Sequence, residues 1–293
     1  MSRDGELDGL AIPHSRAEYA IACEAVVDRA QALIGQVRDW FPQWTPPPFD
    51  PRLYAEMLSI PVIMATLPVD LDAIFIPVGD RPRIMLNKLV RSKGRRNFSL
   101  AHEIAHSFFP DPGGARYFLR ARGTERYGDN RELRYVERLC DAAATELLMP
   151  SAWFLESMER HGVSAASLIE IAAEFAVSLE AAALRLTEVN PCPCEVFLAD
   201  EGAGRPRGPW AEASLVVRRM FANSKAPGLL HEGACVPCFS LMYQLAASGK
   251  GAAVSHEYRS NGKNRRVRVS ACALRKSPDL RPLSILGVSE WAV

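Results

Sequence analysis

Arg95-Arg96-Asn97-Phe98-Ser99-Leu100-Ala101-His102-Glu103-Ile104-Ala105-His106-Ser107-Phe108-Phe109 is the stretch from which the fold can be read outward. It contains His-Glu-x-x-His. On an α-helix, residues i and i+4 share one face and lie about 5.4 Å apart along the axis. His102 and His106 can therefore turn two imidazoles toward one ion. Glu103 projects to the side of that pair, placed to reach a water on the ion rather than to be a ligand. Phe98, Leu100, Ala101, Ile104, Ala105, Phe108 and Phe109 supply the apolar remainder of a buried helix. Two imidazoles buried on such a helix need polar partners, and a metal satisfies both at once. Two histidine ligands with a glutamate general base is the arrangement used in metal-dependent peptide hydrolysis. The competing reading is a pair of core histidines satisfied by protein neighbours.

A catalytic zinc site normally has three protein ligands and one open position, so the third must come from elsewhere in the chain. Val136-Glu137-Arg138-Leu139-Cys140-Asp141-Ala142-Ala143-Ala144-Thr145-Glu146-Leu147-Leu148-Met149-Pro150 reads as a second helix. It is rich in Ala and Leu and stops at Met149-Pro150, because a residue before proline disfavours the helical region. Glu137 and Asp141 are again spaced i, i+4. One carboxylate of such a pair can bind the metal while the other orients a histidine N–H from behind. Glu137 is assigned as the ligand and Asp141 as the orienting group. Zn2+ suits two imidazoles and a carboxylate best, with Mn2+ as the second candidate.

The two motifs together, Arg96-Asn97-Phe98-Ser99-Leu100-Ala101-His102-Glu103-Ile104-Ala105-His106 and Glu137…Asp141…Ala144…Leu147-Leu148-Met149-Pro150, resemble the ImmA/IrrE family of metallopeptidases over residues 50–190. The family usually reads Arg-x-Phe-x-Leu-Ala-His-Glu-Leu-Gly-His and Glu-x-x-Ala-Asn-x-Phe-Ala-x-x-Leu-Leu-Met-Pro. Here Ala105 replaces the usual Gly, Cys140 an Ala, Asp141 an Asn and Ala143 a Phe. The resemblance implies a zincin-like α+β fold and a regulatory, site-specific endopeptidase. Its expected substrate is a helix-turn-helix transcriptional repressor that controls stress or mobile-element genes.

The rest of the chain is read around that centre. At 293 residues it is long enough for two domains or three small ones, and 48% apolar content is ample for their cores. A net charge of +1 gives no overall pull toward nucleic acid or acidic membranes. No apolar run reaches membrane-spanning length, Met-Ser-Arg-Asp-Gly-Glu is unlike a signal peptide, and seven scattered cysteines suit a reducing cytoplasm. The expected organisation is an N-terminal helix and proline-rich connector over 1–50 and a zincin-like domain over 51–150. A helix-turn-helix-like unit over 151–189 and a mixed α/β sensor-like domain over 190–293 follow. Family resemblance makes that last domain a candidate GAF-like fold.

Within this frame, Ser15–Trp40 has helical periodicity, and Phe41–Pro51 reads as a stiff surface linker. Residues 62–64, 73–76 and 83–86 read as short strands of a small sheet, whose edge can pair with an extended substrate. Pro110–Glu132 reads as a long loop and a candidate lid, with Tyr127 a candidate oxyanion donor. The second helix of the helix-turn-helix-like unit, Leu179–Leu186, holds one Arg and one Glu, too few polar groups to read base edges, so direct DNA binding is disfavoured. Beyond Asn190, strands are expected at 195–198, 214–217, 252–258, 265–273 and 283–287, with a helix at 239–247. Cys192 and Cys194 with Cys235 and Cys238 form a weak candidate for a four-cysteine zinc site. The functional alternative to proteolysis is a metal-binding regulator that works by engaging a partner; the intact Glu103 argues against it.

Overall fold

Ser15 opens the first helix by accepting the Glu18 N–H at 3.2 Å. In the computed structural model that follows from this sequence, residues 10–76, 82–109, 118–121, 131–201, 214–228, 230–237, 239–249, 254–260, 263–276 and 282–291 are described. The chain divides into two compact units, one formed by Met1–Ser151 with Glu174–Ser178, the other by Ala152–Ala173 with Leu179–Val293.

In the first unit, helix α1 (Arg16–Trp40) buries Val26, Ala30, Leu33, Ile34 and Val37, a 3.6-residue stripe that packs against a later helix, α4 (Arg131–Leu148). The proline-rich connector after α1 is not only a surface strap. Its Phe49 is fully buried, with Trp44 set edge-on at 5.5 Å. Helix α2 (Pro51–Met57) then starts at the Asp50 cap, with proline in its first turn where the missing N–H costs nothing. Tyr54 from α2 is buried and donates its hydroxyl to the Leu147 carbonyl at 2.8 Å, which ties α2 to the end of α4.

Strands β1 (Val62–Ala65), β2 (Leu71–Ile76), β3 (Arg83–Asn87) and β4 (Phe118–Ala121) form one sheet in the order β1-β3-β2-β4. β1 runs parallel to β3, and β2 is antiparallel to both β3 and β4. Asn87 closes the end of this sheet: its side-chain amide donates to the Leu71 carbonyl at 2.7 Å and its oxygen accepts the Leu89 N–H at 3.1 Å. Helix α3 (Lys93–His106) follows, capped by Ser92 and packed on β2 and β3. Arg95 of α3 reaches back to Asp72 of β2 at 2.6 Å. The returning segment Glu174–Ser178 completes the unit. Phe175 stacks on Phe49 at 6.1 Å, the Asn97 amide donates to the Ala176 carbonyl at 3.4 Å, and Gly94 of α3 lies against the backbone of Val177 and Ser178.

The second unit holds helices α5 (Ser151–His161), α6 (Ala165–Glu174), α7 (Leu179–Val189) and α8 (Leu241–Ser248) with a six-stranded sheet, apart from the residues just assigned to the first unit. Its strands are β5 (Cys194–Asp200), β6 (Ser214–Ala222), β7 (Cys235–Pro237), β8 (Val254–Ser260), β9 (Lys263–Lys276) and β10 (Pro282–Trp291). They are ordered β7-β6-β5-β10-β9-β8, antiparallel throughout. Central β5 is buried from Cys194 to Ala199, as a strand covered on both faces must be. The Ala165 N–H at the start of α6 donates to Ser270 of β9 at 2.8 Å, and Ala152–Ala173 and Leu179–Val189 fall in the same compact unit as the sheet. The architecture is α+β.

Three local expectations are revised. β4 falls inside the segment read as a loop between the two metal helices, and Arg131 and Glu132 at its end open α4; the remainder, including Tyr127, lies outside the described residues. β7 is a strand of only three residues, which hydrophobic patterning does not register. α4 starts five residues before Val136, with Tyr135 stacked on Tyr19 of α1 at 4.9 Å.

Candidate metal centre

α3 and α4 pack side by side, and each sends one face to the other. From α3 come His102, Glu103 and His106, all essentially without exposure. From α4 come Glu137, Cys140 and Asp141, spaced i, i+3, i+4 and therefore one face of that helix. The Nε2 atoms of His102 and His106 both approach the Glu137 carboxylate, at 3.2 and 3.6 Å. Their Nδ1 atoms face the other way. His102 Nδ1 lies 2.9 Å from Asp141 Oδ1, and His106 Nδ1 lies 3.4 Å from Cys140 Sγ. Below them, the Phe75 ring of β2 stacks on His106 at 6.3 Å, so the sheet fixes the depth of the pair.

The geometry fits a small cation. Ligand atoms of His102, His106 and Glu137 all lie within 4.8 Å of one another. In a tetrahedral zinc site with ligand distances near 2.1 Å, neighbouring ligand atoms are about 3.4 Å apart; the two separations above bracket that value. Protonation points the same way. In the tautomer with its proton on Nδ1, His102 donates to Asp141 and keeps a lone pair on Nε2. A lone pair facing a carboxylate oxygen is repulsive unless a proton or a metal ion stands between them. Glu103, one residue after His102 and fully buried, is held at the same level of α3.

Elsewhere the structure separates residues that the sequence had grouped. Cys194 begins β5 and pairs across to the Ala222 end of β6, whereas Cys235 pairs with Val216 at the other end of β6, opposite Asp200. Six residues of strand, about 20 Å, lie between the two ends, so Cys192 and Cys194 do not share an ion with Cys235; Cys238 lies outside the described residues. Burial pushes the Cys194 thiol up to about 12, as expected of a structural cysteine and not of a thiolate ligand. The one arginine of the helix-turn-helix-like second helix, Arg185 in α7, is buried and paired with Glu188 at 3.3 Å, while α7 packs on β5 and β6.

Sequence reasoning missed two groups at the centre. One is Cys140 as a partner of His106. The other is Tyr19 of α1, whose phenol is pushed up to about 12 by burial first, with the Cys23 hydrogen bond and the Asp141 charge adding to it. It remains a neutral hydroxyl near Asp141. Neither was legible, because both depend on how helices are rotated about their axes in the packed unit.

A His-Glu-x-x-His helix laid on a small sheet, with an acidic third group delivered by a second helix, defines a zincin-like metal-binding domain. Residues 56–187 match the family model of peptidase M78, described as the IrrE N-terminal-like domain. It is similar to the radiation response metalloprotease IrrE of Deinococcus radiodurans, 31% identical over 193 residues, covering 60% of this chain and 56% of that protein. The protein of the same name in Deinococcus deserti is 30% identical over 177 residues, covering 56% of this chain and 59% of its own. The chain thus spans a little over half the length of these curated relatives. A Mycobacterium tuberculosis transcriptional regulator has a similar fold, with a TM-score of 0.50 at 14% identity over 93% of this chain and 81% of that one. Among the described residues, no helix is long and apolar enough to cross a membrane.

Proposed function

We propose that the chain is a metal-dependent endopeptidase in which His102, His106 and Glu137 hold a divalent ion, Zn2+ before Mn2+, and Glu103 is the general base. The observation that carries this reading is the convergence of two Nε2 atoms on one carboxylate, with a buried Glu103 alongside. When bound, such an ion supplies Lewis acidity toward a peptide carbonyl and eases ionisation of a water. The protein's own part is to place and move protons. Glu103, itself buried, takes the proton from the attacking water and delivers it to the departing amine. Asp141 keeps the His102 proton on Nδ1, so Nε2 stays a donor of electrons.

The substrate is read as a protein, and more narrowly as a helix-turn-helix transcriptional repressor in the cytoplasm, cut at one site in response to stress. The match of residues 56–187 to the peptidase M78 model supports the broad class, and similarity to the two Deinococcus proteins supports the stress setting. The sheet with α8 on it is the part of the chain suited to a GAF-like sensor role. The test compares newly formed protein N-termini in the host carrying the wild type or Glu103→Gln at equal levels, before and after stress. A terminus made only with the wild type, and reproduced with purified proteins, is the expected result. Full cleavage by metal-loaded Glu103→Gln would remove Glu103 from its assigned role.

A further inference from the structure

Helix α4 treats the two histidines alike in geometry and differently in chemistry. Its residues at i, i+3 and i+4 each meet an imidazole nitrogen: Glu137 meets both Nε2 atoms, Asp141 meets Nδ1 of His102, and Cys140 meets Nδ1 of His106. Cys140 is fully buried, at the contact between α3 and α4. Its Sγ lies on the far side of the His106 ring from Nε2, so in this arrangement it stands behind the ligand and is not one of the ligands. A histidine that binds metal through one nitrogen is normally steered by a hydrogen bond at the other, from a carboxylate, a carbonyl or water. Here a thiol stands in that place. An alanine methyl at this position would offer no acceptor.

We propose that Cys140 is the positioning residue of His106: it accepts the Nδ1 proton, fixes the tautomer with the lone pair on Nε2, and sets the rotation of the ring toward Glu137. The inference rests on the metal reading of the site. Sulfur at 3.4 Å from nitrogen is a normal separation for an N–H···S contact, longer and weaker than the carboxylate contact that serves His102. The two ligands are consequently unequal. His102, backed by a charged carboxylate, is the stronger electron donor, and His106, backed by a neutral and polarisable thiol, is the weaker one. Losing the thiol should therefore loosen His106 selectively and leave His102 in place.

The experiment uses the full-length protein, stripped of metal and kept reduced. Zn2+ affinity is measured by competition with a chelating dye for the wild type, Cys140→Ala and Cys140→Ser, and the visible spectrum of each is recorded with Co2+. In parallel, the ring 15N shifts of His106 are followed in the metal-free protein. Cys140→Ala should bind Zn2+ about 10–100-fold more weakly, change the Co2+ spectrum and mix the His106 tautomers, while Cys140→Ser, whose hydroxyl can accept the same proton, restores much of each. Unchanged affinity, Co2+ spectrum and 15N shifts in a folded Cys140→Ala would overturn the positioning role while leaving the metal site intact. If the wild type takes up neither Zn2+ nor Co2+, the metal reading itself fails, and the role of Cys140 falls with it. The 15N measurement needs no metal and reports the tautomer on its own. It counts against the proposal if His106 carries its proton on Nε2 in the wild type.

Discussion

The side chains at the centre have separable duties, which single substitutions can rank. Glu137 meets both Nε2 atoms, so on the proposed assignment Glu137→Gln removes the anionic ligand, whereas Asp141→Ala removes only the group behind His102. Asp141→Ala should weaken Zn2+ binding about 10–100-fold, and Glu137→Gln should weaken it further; a chelator competition that returned the reverse order would exchange the two assignments. The cysteines offer a second ranking. Cys194 is buried with its thiol pushed up to about 12, so at pH 8 it stays protonated, whereas Cys235 is exposed. Brief alkylation at pH 8 followed by peptide mapping should find Cys235 modified and Cys194 intact until the protein is unfolded. At this scale the sequence was most legible where spacing alone dictates geometry. His102 and His106 must share a face if they are helical, and so must Glu137 and Asp141. Cys140 was visible only as an oddity in the motif, because its meaning depends on the rotational phase of α4 against α3.

Elements were legible wherever an end is marked by chemistry local to it. Ser15 and Asp50 cap α1 and α2, and Ser92 and Ser240 cap α3 and α8, each accepting an N–H that the helix leaves unpaired. β4 and β7 were not, since strands of four and three residues owe their existence to the neighbours they pair with. Two glycines report on how tightly elements meet. A Cβ at Gly94 would stand 2.7 Å from the Val177 carbonyl carbon and 2.8 Å from the Ser178 nitrogen, both backbone atoms that cannot swing aside. Gly94→Ala should therefore cost about 1–3 kcal/mol of stability and, by shifting the helix that carries His102, also weaken Zn2+ binding; urea unfolding and metal titration on the same sample check both. In β10, a Cβ at Gly287 would sit 2.2 Å from the Phe197 ring, which is itself buried in β5. Gly287→Ala should destabilise the second unit by a similar amount, about 1–3 kcal/mol, read from the urea midpoint.

For the molecule as a whole, the number of cores was easier to foresee than their membership. Length and apolar content called for at least two, and two compact units are present. Their boundaries do not follow chain order, because Glu174–Ser178, running from the last residue of α6 to the start of α7, joins the first unit. Sequence patterning sees which residues want burial and not which distant partner supplies it. A metal held between α3 and α4 ties two such distant parts together and binds only the folded state. At a free concentration 100 times its dissociation constant, it adds about 2.7 kcal/mol of stability. A chelator should thus lower the melting temperature of the Zn2+-loaded wild type and leave that of a His102→Ala, His106→Ala variant where it was. The Glu174–Ser178 segment also bears on how the protein is made. Phe175 must stack on Phe49, and Val177 must meet Gly94, from a point in the chain about 70 residues past the end of the metal helix. A nascent chain that has emerged only as far as α4 already carries every candidate metal ligand, yet it still lacks the plug that seals Phe49. Maturation of the site during synthesis then waits on residue 178, and a fragment cut at the apparent domain end near Pro150 would be an unfinished fold.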